Sequence, residues 1–177
     1  LQKEEKLEHG DKIVTIYGYS FLQKQAFQGA FPRILWNVWV PYGYDLSEEK
    51  IGAFVKELEK YNPDFIRAWP SSIYPLAEYA GNNEIKIRPK SIQLHGEVLF
   101  RFLRRSIEEN FNCEIFDVFG LRESSVFSFE CQKHAGYHLD AENGIIEVIN
   151  EDGEHASGGE LGATVFTDFT NFPSPLI

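Results

Sequence analysis

The stretch Phe65-Ile-Arg-Ala-Trp69-Pro70-Ser71-Ser72 is a short apolar run closed by a proline and two small polar residues. Its pattern returns after Pro89 as Ser91-Ile-Gln-Leu-His95-Gly96-Glu97, and again as Cys113-Glu-Ile-Phe-Asp-Val-Phe119. Each run has the length and composition of a buried strand, and each ends in residues that break or turn the chain. Between them the spacing changes from runs to threes and fours. Ser71 or Ser72 caps a short helix carrying Leu76, Ala77 and Ala80, with Gly81-Asn82-Asn83 as its stop. A helix over about 97–110 then carries Leu99, Phe102, Leu103, Ile107 and Phe111 on one side. Its basic run, Arg101, Arg104 and Arg105, is most simply a solvated face.

Working outward, Ser47 is placed to cap a helix over about 48–60, with Glu48 and Glu49 at its positive end and Ile51, Phe54, Val55, Leu58 and Tyr61 on its apolar face. Asn62-Pro63-Asp64 stops it. Lys12-Ile-Val-Thr-Ile-Tyr17 predicts another strand, and the aromatic text from Phe21 to Tyr44 predicts one near 33–39. Strands and helices therefore alternate from 48 to 119, the pattern of a largely parallel sheet with packed helices. Beyond 123 no helical stretch intervenes: Val126 to Cys131, Tyr137 to Leu139, Gly144 to Asn150 and Gly162 to Thr167 predict strands, with Glu151-Asp-Gly-Glu154 as a hairpin turn. The expected organisation is an α/β layer over 12–123 followed by a β-rich region over 124–177.

The 177 residues carry 27 acidic and 17 basic side chains, a net charge of −10, and 43% hydrophobic content with 15 Phe and 8 Tyr. That supplies one sizeable core and disfavours nucleic acid as a partner. No run approaches a membrane span and the start lacks a signal-peptide core, so a cytoplasmic protein without a membrane partner is expected. Cys113 and Cys131 are expected to stay reduced. The absence of Met predicts a chain trimmed at its front or cut from a longer one. The cluster Phe31, Trp36, Trp39, Tyr42 and Tyr44 reads more simply as core than as a ligand platform. In a fragment such surface favours self-association, hence a homo-oligomer.

Ligands of open parallel sheets gather at the carboxyl ends of strands. Three such ends stand out: Trp69-Pro70-Ser71, His95-Gly96-Glu97 and Phe119-Gly120-Leu121-Arg122-Glu123. In the third, an aromatic ring can stack on a heterocycle, a glycine admits close backbone approach, and a carboxylate can hold magnesium. Asp117 to Glu123 resembles the Tyr-Gly-x-x-Glu core motif of adenylate-forming enzymes. From Phe65 onward the chain resembles their phenylacetate-CoA ligase branch, which includes capsular polysaccharide biosynthesis relatives. The resemblance is carried by Trp69-Pro-Ser-Ser72, Pro89 to Glu97, Glu130-Cys131, Gly136-Tyr-His138, Ile146-Glu147-Val148, Gly159 to Gly162, Thr167 to Asn171 and Pro175-Leu-Ile177, in the family's order.

The resemblance implies a fragment of the family's large N-terminal domain. The parent would activate a small-molecule carboxylate with ATP to an acyl-adenylate, then transfer it to coenzyme A. It places Phe119 against adenine, Gly96 and Glu97 in the adenine pocket, Asp117 at its edge, Gly120 and Leu121 in the motif, and Glu123 on the magnesium of ATP. Trp69 is a candidate wall of the acyl pocket. Arg122 departs from the usual Ser or Thr and is expected to pair with a phosphate or with Glu123. No Gly-rich phosphate loop precedes Tyr44, and the expected ribose-binding Asp and catalytic Lys are absent. The chain alone is therefore expected to be inactive, with no catalytic residue of its own. A non-catalytic nucleotide-binding or assembly module of the same fold is the alternative. Cys131, His134 and His138 have spacings that suit zinc, although a buried strand end and a polar turn explain them more simply. In relatives, Cys and His at the spacing of Cys131 and His138 are completed by a Cys-x-Cys pair, here expected beyond Ile177.

Overall fold

The computed structural model describes residues 10–16, 37–39, 47–121 and 123–170. Outside them lie most of the strand expected at 33–39, the aromatic residues Phe31, Trp36, Tyr42 and Tyr44, the motif residue Arg122, and residues 171–177. The chain divides into two compact units, Leu1–Asp117 and Val118–Ile177.

The first unit contains β1 (Ile13–Ile16), β2 (Val38–Trp39), α1 (Glu48–Tyr61), β3 (Phe65–Ala68), α2 (Pro70–Asn82), β4 (Ser91–His95) and α3 (Arg101–Phe111). Strand β5 (Glu114–Gly120) begins in it and ends in the second unit, which continues with β6 (Phe127–Glu130), β7 (Tyr137–Leu139), β8 (Gly144–Ile149) and β9 (Ala163–Asp168). Seven strands form a sheet in the order β2-β1-β3-β4-β5-β6-β7, and β8 and β9 form a separate pair. The β1–β2, β1–β3 and β3–β4 pairings are parallel, while β5–β6, β6–β7 and β8–β9 are antiparallel. This is the expected α/β class with a mostly parallel sheet.

Crossovers from β2 to β3, β3 to β4 and β4 to β5 all advance in one direction across the sheet. Right-handed crossovers then put every helix on the same face. The core shows this directly: Val14, Ile16, Ile66, Ala68, Ile92, Leu94 and Ile115, one side of each strand, are buried with Val55, Leu58, Ile73, Leu76, Ala77, Ala80, Ile107 and Phe111 of the helices. The amino ends of the strands are stitched by charge. The Lys90 ammonium lies 2.7 Å from Asp11 and 3.4 Å from Asp64, and the Asp64 carboxylate accepts the Lys12 N–H at 2.9 Å.

Helix α1 fills its predicted span, ending at Asn62, whose left-handed φ of 52° lets its N–H reach the Leu58 carbonyl. Trp39, the described member of the aromatic cluster, is core: it packs on Phe54 and Tyr61 with ring centroids 5.5 and 5.3 Å apart.

Two helix starts differ from expectation. Helix α2 starts at Pro70, with Trp69 rather than Ser71 or Ser72 at the capping position, because proline suits the first turn where no N–H is needed. Helix α3 starts at Arg101 instead of 97, after an extended Phe100. Its inner face is Leu103, Ile107 and Phe111, spaced by four, which turns Phe102 out to 62% exposure. Phe102 stacks instead on Phe100 and meets Tyr74 edge-on. Nor is the basic run uniformly solvated: Arg104 donates to the Ile115 carbonyl at 2.8 Å, while Arg105 pairs with Glu109 one turn on.

In the second unit the four predicted strands appear with ends shifted by a residue or so. The turn after β8 is local. Asn150 accepts from Gly153 and donates to Glu154, Ile149 bridges His155, and β9 pairs with β8 only after residues 157–162.

Candidate functional site

In the first unit, the carboxyl ends of β3 and β4 are joined by one carboxylate. Glu97 accepts the Ser71 N–H through Oε2 at 2.8 Å and the Ser71 hydroxyl through Oε1 at 2.7 Å. Ser71 is the second residue of α2, so its N–H is one of the donors a helix start leaves without an intrahelical partner. A carboxylate there also meets the positive end of the helix dipole. Glu97 thus supplies across the fold the cap that Trp69 cannot supply locally. Beside it, Gly96 has φ +79°, and a Cβ at that position would lie 2.9 Å from Trp69 Nε1 and 3.2 Å from Trp69 Cδ1. The indole therefore rests on the turn because residue 96 has no side chain.

His95 closes β4 half-buried. Burial holds its imidazole below the ordinary histidine value, and the Arg67 cation adds to that effect, while Asp117 opposes both. Asp117 is itself buried, near the end of β5.

In the second unit, Phe119 is 42% exposed, with ring centroids 6.2 Å from Tyr137 and 5.7 Å from Phe166. Its carbonyl accepts the Ser128 hydroxyl. Gly120 lies in register with Phe127, whose Cβ would stand 3.0 Å from a Cβ at 120. Leu121 and Glu123 are exposed.

Immediately after Glu123 the chain is anchored by Asp168. Its carboxylate accepts from the Ser125 N–H at 2.7 Å, the Ser124 and Ser125 hydroxyls, the Thr170 N–H at 2.7 Å and the Thr170 hydroxyl. These bonds, led by the two backbone N–H groups, hold Asp168 well below the usual carboxylate range. Asp168 thereby fixes the chain that follows Glu123.

Sequence reading placed Asp168 within the resembling segment Thr167 to Asn171 but gave it no role, and it did not find Glu97 as a cap or Arg67. The Asp-x-Thr spacing of Asp168 and Thr170 is a local side-chain-to-backbone signal that could have pointed to the first.

Among the described residues no three His, Cys, Asp or Glu side chains come together as a metal-binding group. His134 turns toward Glu130 at 3.3 Å, and His138, in register with Phe129 across β6 and β7, lies with its ring 6.1 Å from the Phe129 ring. Cys131 contributes its carbonyl to the His134 N–H, closing a turn. Glu123, expected on magnesium, carries an exposed side chain. Among the described residues no helix is long and apolar enough to cross a membrane.

No protein-family model matches the chain. It is 26% identical over 136 residues to Protein CapK of Staphylococcus aureus, an alignment covering 76% of this chain and 29% of CapK. Among solved structures it resembles the open conformation of 2-hydroxyisobutyryl-CoA ligase in complex with 2-HIB-AMP and CoA, at a TM-score of 0.67 and 20% identity, over 90% of this chain and 36% of that one. It also resembles the anthranilate CoA ligase AuaEII in complex with anthranoyl-AMP, at a TM-score of 0.64 and 12% identity, over 93% of this chain and 32% of that one. The chain thus spans about a third of the length of each of these three proteins, and over that span it shares the mixed α/β fold of the two CoA ligases.

Proposed function

We propose that this chain is part of an acid–CoA ligase of the adenylate-forming kind, related to the phenylacetate-CoA ligase branch, and that it carries adenine-binding and acyl-binding residues. The observation that carries this reading is the Phe119-Gly120 strand end, with its exposed ring and the Asp168 anchor behind Glu123, in a fold found in CoA ligases bound to acyl-AMP. Phe119 stacks on adenine, and Gly120 and Leu121 follow its edge. Gly96, Glu97 and Asp117 are nucleotide-binding residues of the first unit. Glu123 would hold the magnesium of ATP, and that ion would offset charge on the phosphates.

The substrate is a small carboxylic acid, with Trp69 against its acyl part. The whole protein joins it to AMP, releasing pyrophosphate, and then to the thiol of coenzyme A, releasing AMP. What these residues contribute is position, since the carboxylate must be held in line with the reacting phosphorus. The chain alone does not turn over.

Calorimetry of the chain with AMP, and with GMP as control, tests the binding. AMP is expected to bind and GMP to bind at least tenfold more weakly. Phe119→Ala should weaken AMP by roughly 1–3 kcal/mol, the range for base–aromatic stacking. AMP binding unchanged by that substitution would overturn the assignment. Pyrophosphate exchange by the chain with a panel of aryl and aliphatic acids is expected to be nil, and turnover would refute its inactivity.

A further inference from the structure

Strands buried on both faces of a parallel sheet read as continuous apolar runs. Here one face of β1, β3 and β4 does not. Register places Thr15 beside Arg67 and Arg67 beside Gln93, so hydroxyl, guanidinium and amide form one row. His95 stands two residues beyond Gln93 on the same side. This is the face opposite the helix-covered core of Val14, Ile66, Ile92 and Leu94. Arg67 is exposed, and among the described residues it makes no hydrogen bond or ion pair.

A row of donors around a guanidinium that has no partner among the described residues is chemically suited to a carboxylate, which accepts two parallel N–H bonds from arginine. Arg67 lies one residue inside the end of β3, and two residues, or about 7 Å of strand, before Trp69. Reacting groups gather at the strand ends. The row therefore meets a part of the ligand distant from them.

We propose that the Arg67–Gln93 row seats a second carboxylate of the acid substrate, which makes the substrate a small dicarboxylic acid. This rests on the acid–CoA ligase reading for the identity of the first carboxylate. Arg67 supplies the charge, Gln93 and Thr15 supply neutral donors, and His95 borders the seat. Burial and the Arg67 cation hold the His95 imidazole below the ordinary histidine value. An acid with an apolar tail would leave Arg67 desolvated without a partner, so it is disfavoured.

Glutarate and pentanoate have the same chain length and differ only in a terminal carboxylate against a methyl. Each is titrated into the isotope-labelled 177-residue chain while the Arg67 Nε–H and His95 ring resonances are followed. Glutarate is expected to bind at least tenfold more tightly and to shift both signals. Arg67→Gln should remove the preference, and Arg67→Lys should keep part of it, since a point charge replaces the fork. Equal binding of the two acids by the wild-type chain, or a preference that survives Arg67→Gln, would overturn the proposal. Should Arg67→Gln fail to fold, the wild-type comparison and Arg67→Lys decide. AMP titrated into the same sample separates the two claims. Glutarate preference without AMP binding defeats the ligase reading and leaves an anion seat, whereas AMP binding without glutarate preference defeats only the seat.

Discussion

The two units are held together by different means. Among the described residues, nineteen buried hydrophobic side chains belong to the first unit and two, Val126 and Phe166, to the second. The exposed large hydrophobics run the other way: Val98, Phe100 and Phe102 in the first, against nine, from Phe119 to Phe169, in the second. The first unit is thus specified by apolar burial, and the second by polar bonds such as those of Asp168 together with its strand ladders. Burial stabilises in proportion to area, whereas a carboxylate accepting several N–H groups fixes a local geometry and contributes little core. The strand end carrying Phe119 sits in the unit of the second kind, where an aromatic ring can remain exposed for a ligand.

Substitutions should separate the two modes. The largest effect is expected in the first core: Phe111→Ala removes a fully buried ring and should cost about 3–5 kcal/mol, read by urea unfolding. A cost below about 1 kcal/mol would mean that this unit is not held by burial. Next comes Gly144→Ala in the second unit, where a Cβ would collide with the Thr167 carbonyl oxygen and with Val126. Overpacking of this kind costs about 1–3 kcal/mol. It should appear as lost amide protection along β8 and β9 with the first unit's protection intact.

Smaller and more local is Asp168→Asn, which leaves shape but removes the charge that five donors meet. Faster hydrogen exchange at Ser125 and Thr170, with core amides unchanged, is expected; uniform loosening of both units would erase the distinction drawn here. The smallest effect is a pH dependence. The folded His95 value lies below the ordinary 6.5, so between the two values the unfolded chain binds more protons. Its contribution to stability is intact above about 6.5 and is lost as pH falls from there through the lower folded value. His95→Gln should flatten the wild-type slope in that window, and an unchanged slope would place the titration elsewhere.

The same contrast explains how far the sequence could be read. Helix α1 and strands β3 and β4 were legible because each is written in adjacent residues: Ile51, Val55 and Leu58 at helical spacing, Phe65 to Ala68 as a run. Phe102 was misplaced because a one-residue rotation about a helix moves a side chain by about 100°, and local spacing alone does not settle which of two neighbouring apolar residues turns inward. The Ser71–Glu97 cap joins residues 26 apart, and the Ser125–Asp168 anchor residues 43 apart. Neither leaves a periodic trace, and both depend on the sheet already being formed. Arg67 was read as one letter of a strand; only register set it beside Thr15 and Gln93. The placing of Trp69, Gly96 and Phe119 at strand ends was therefore legible, and the long-range bonds around those ends were not.

The most direct test of the central claim is to map where AMP touches the chain by amide chemical-shift perturbation. Shifts concentrated at Gly96, Glu97 and the stretch from Asp117 to Glu123, lost in Phe119→Ala, are the predicted result. Absence of any shift at saturating AMP, or shifts confined to residues remote from both strand ends, would contradict it.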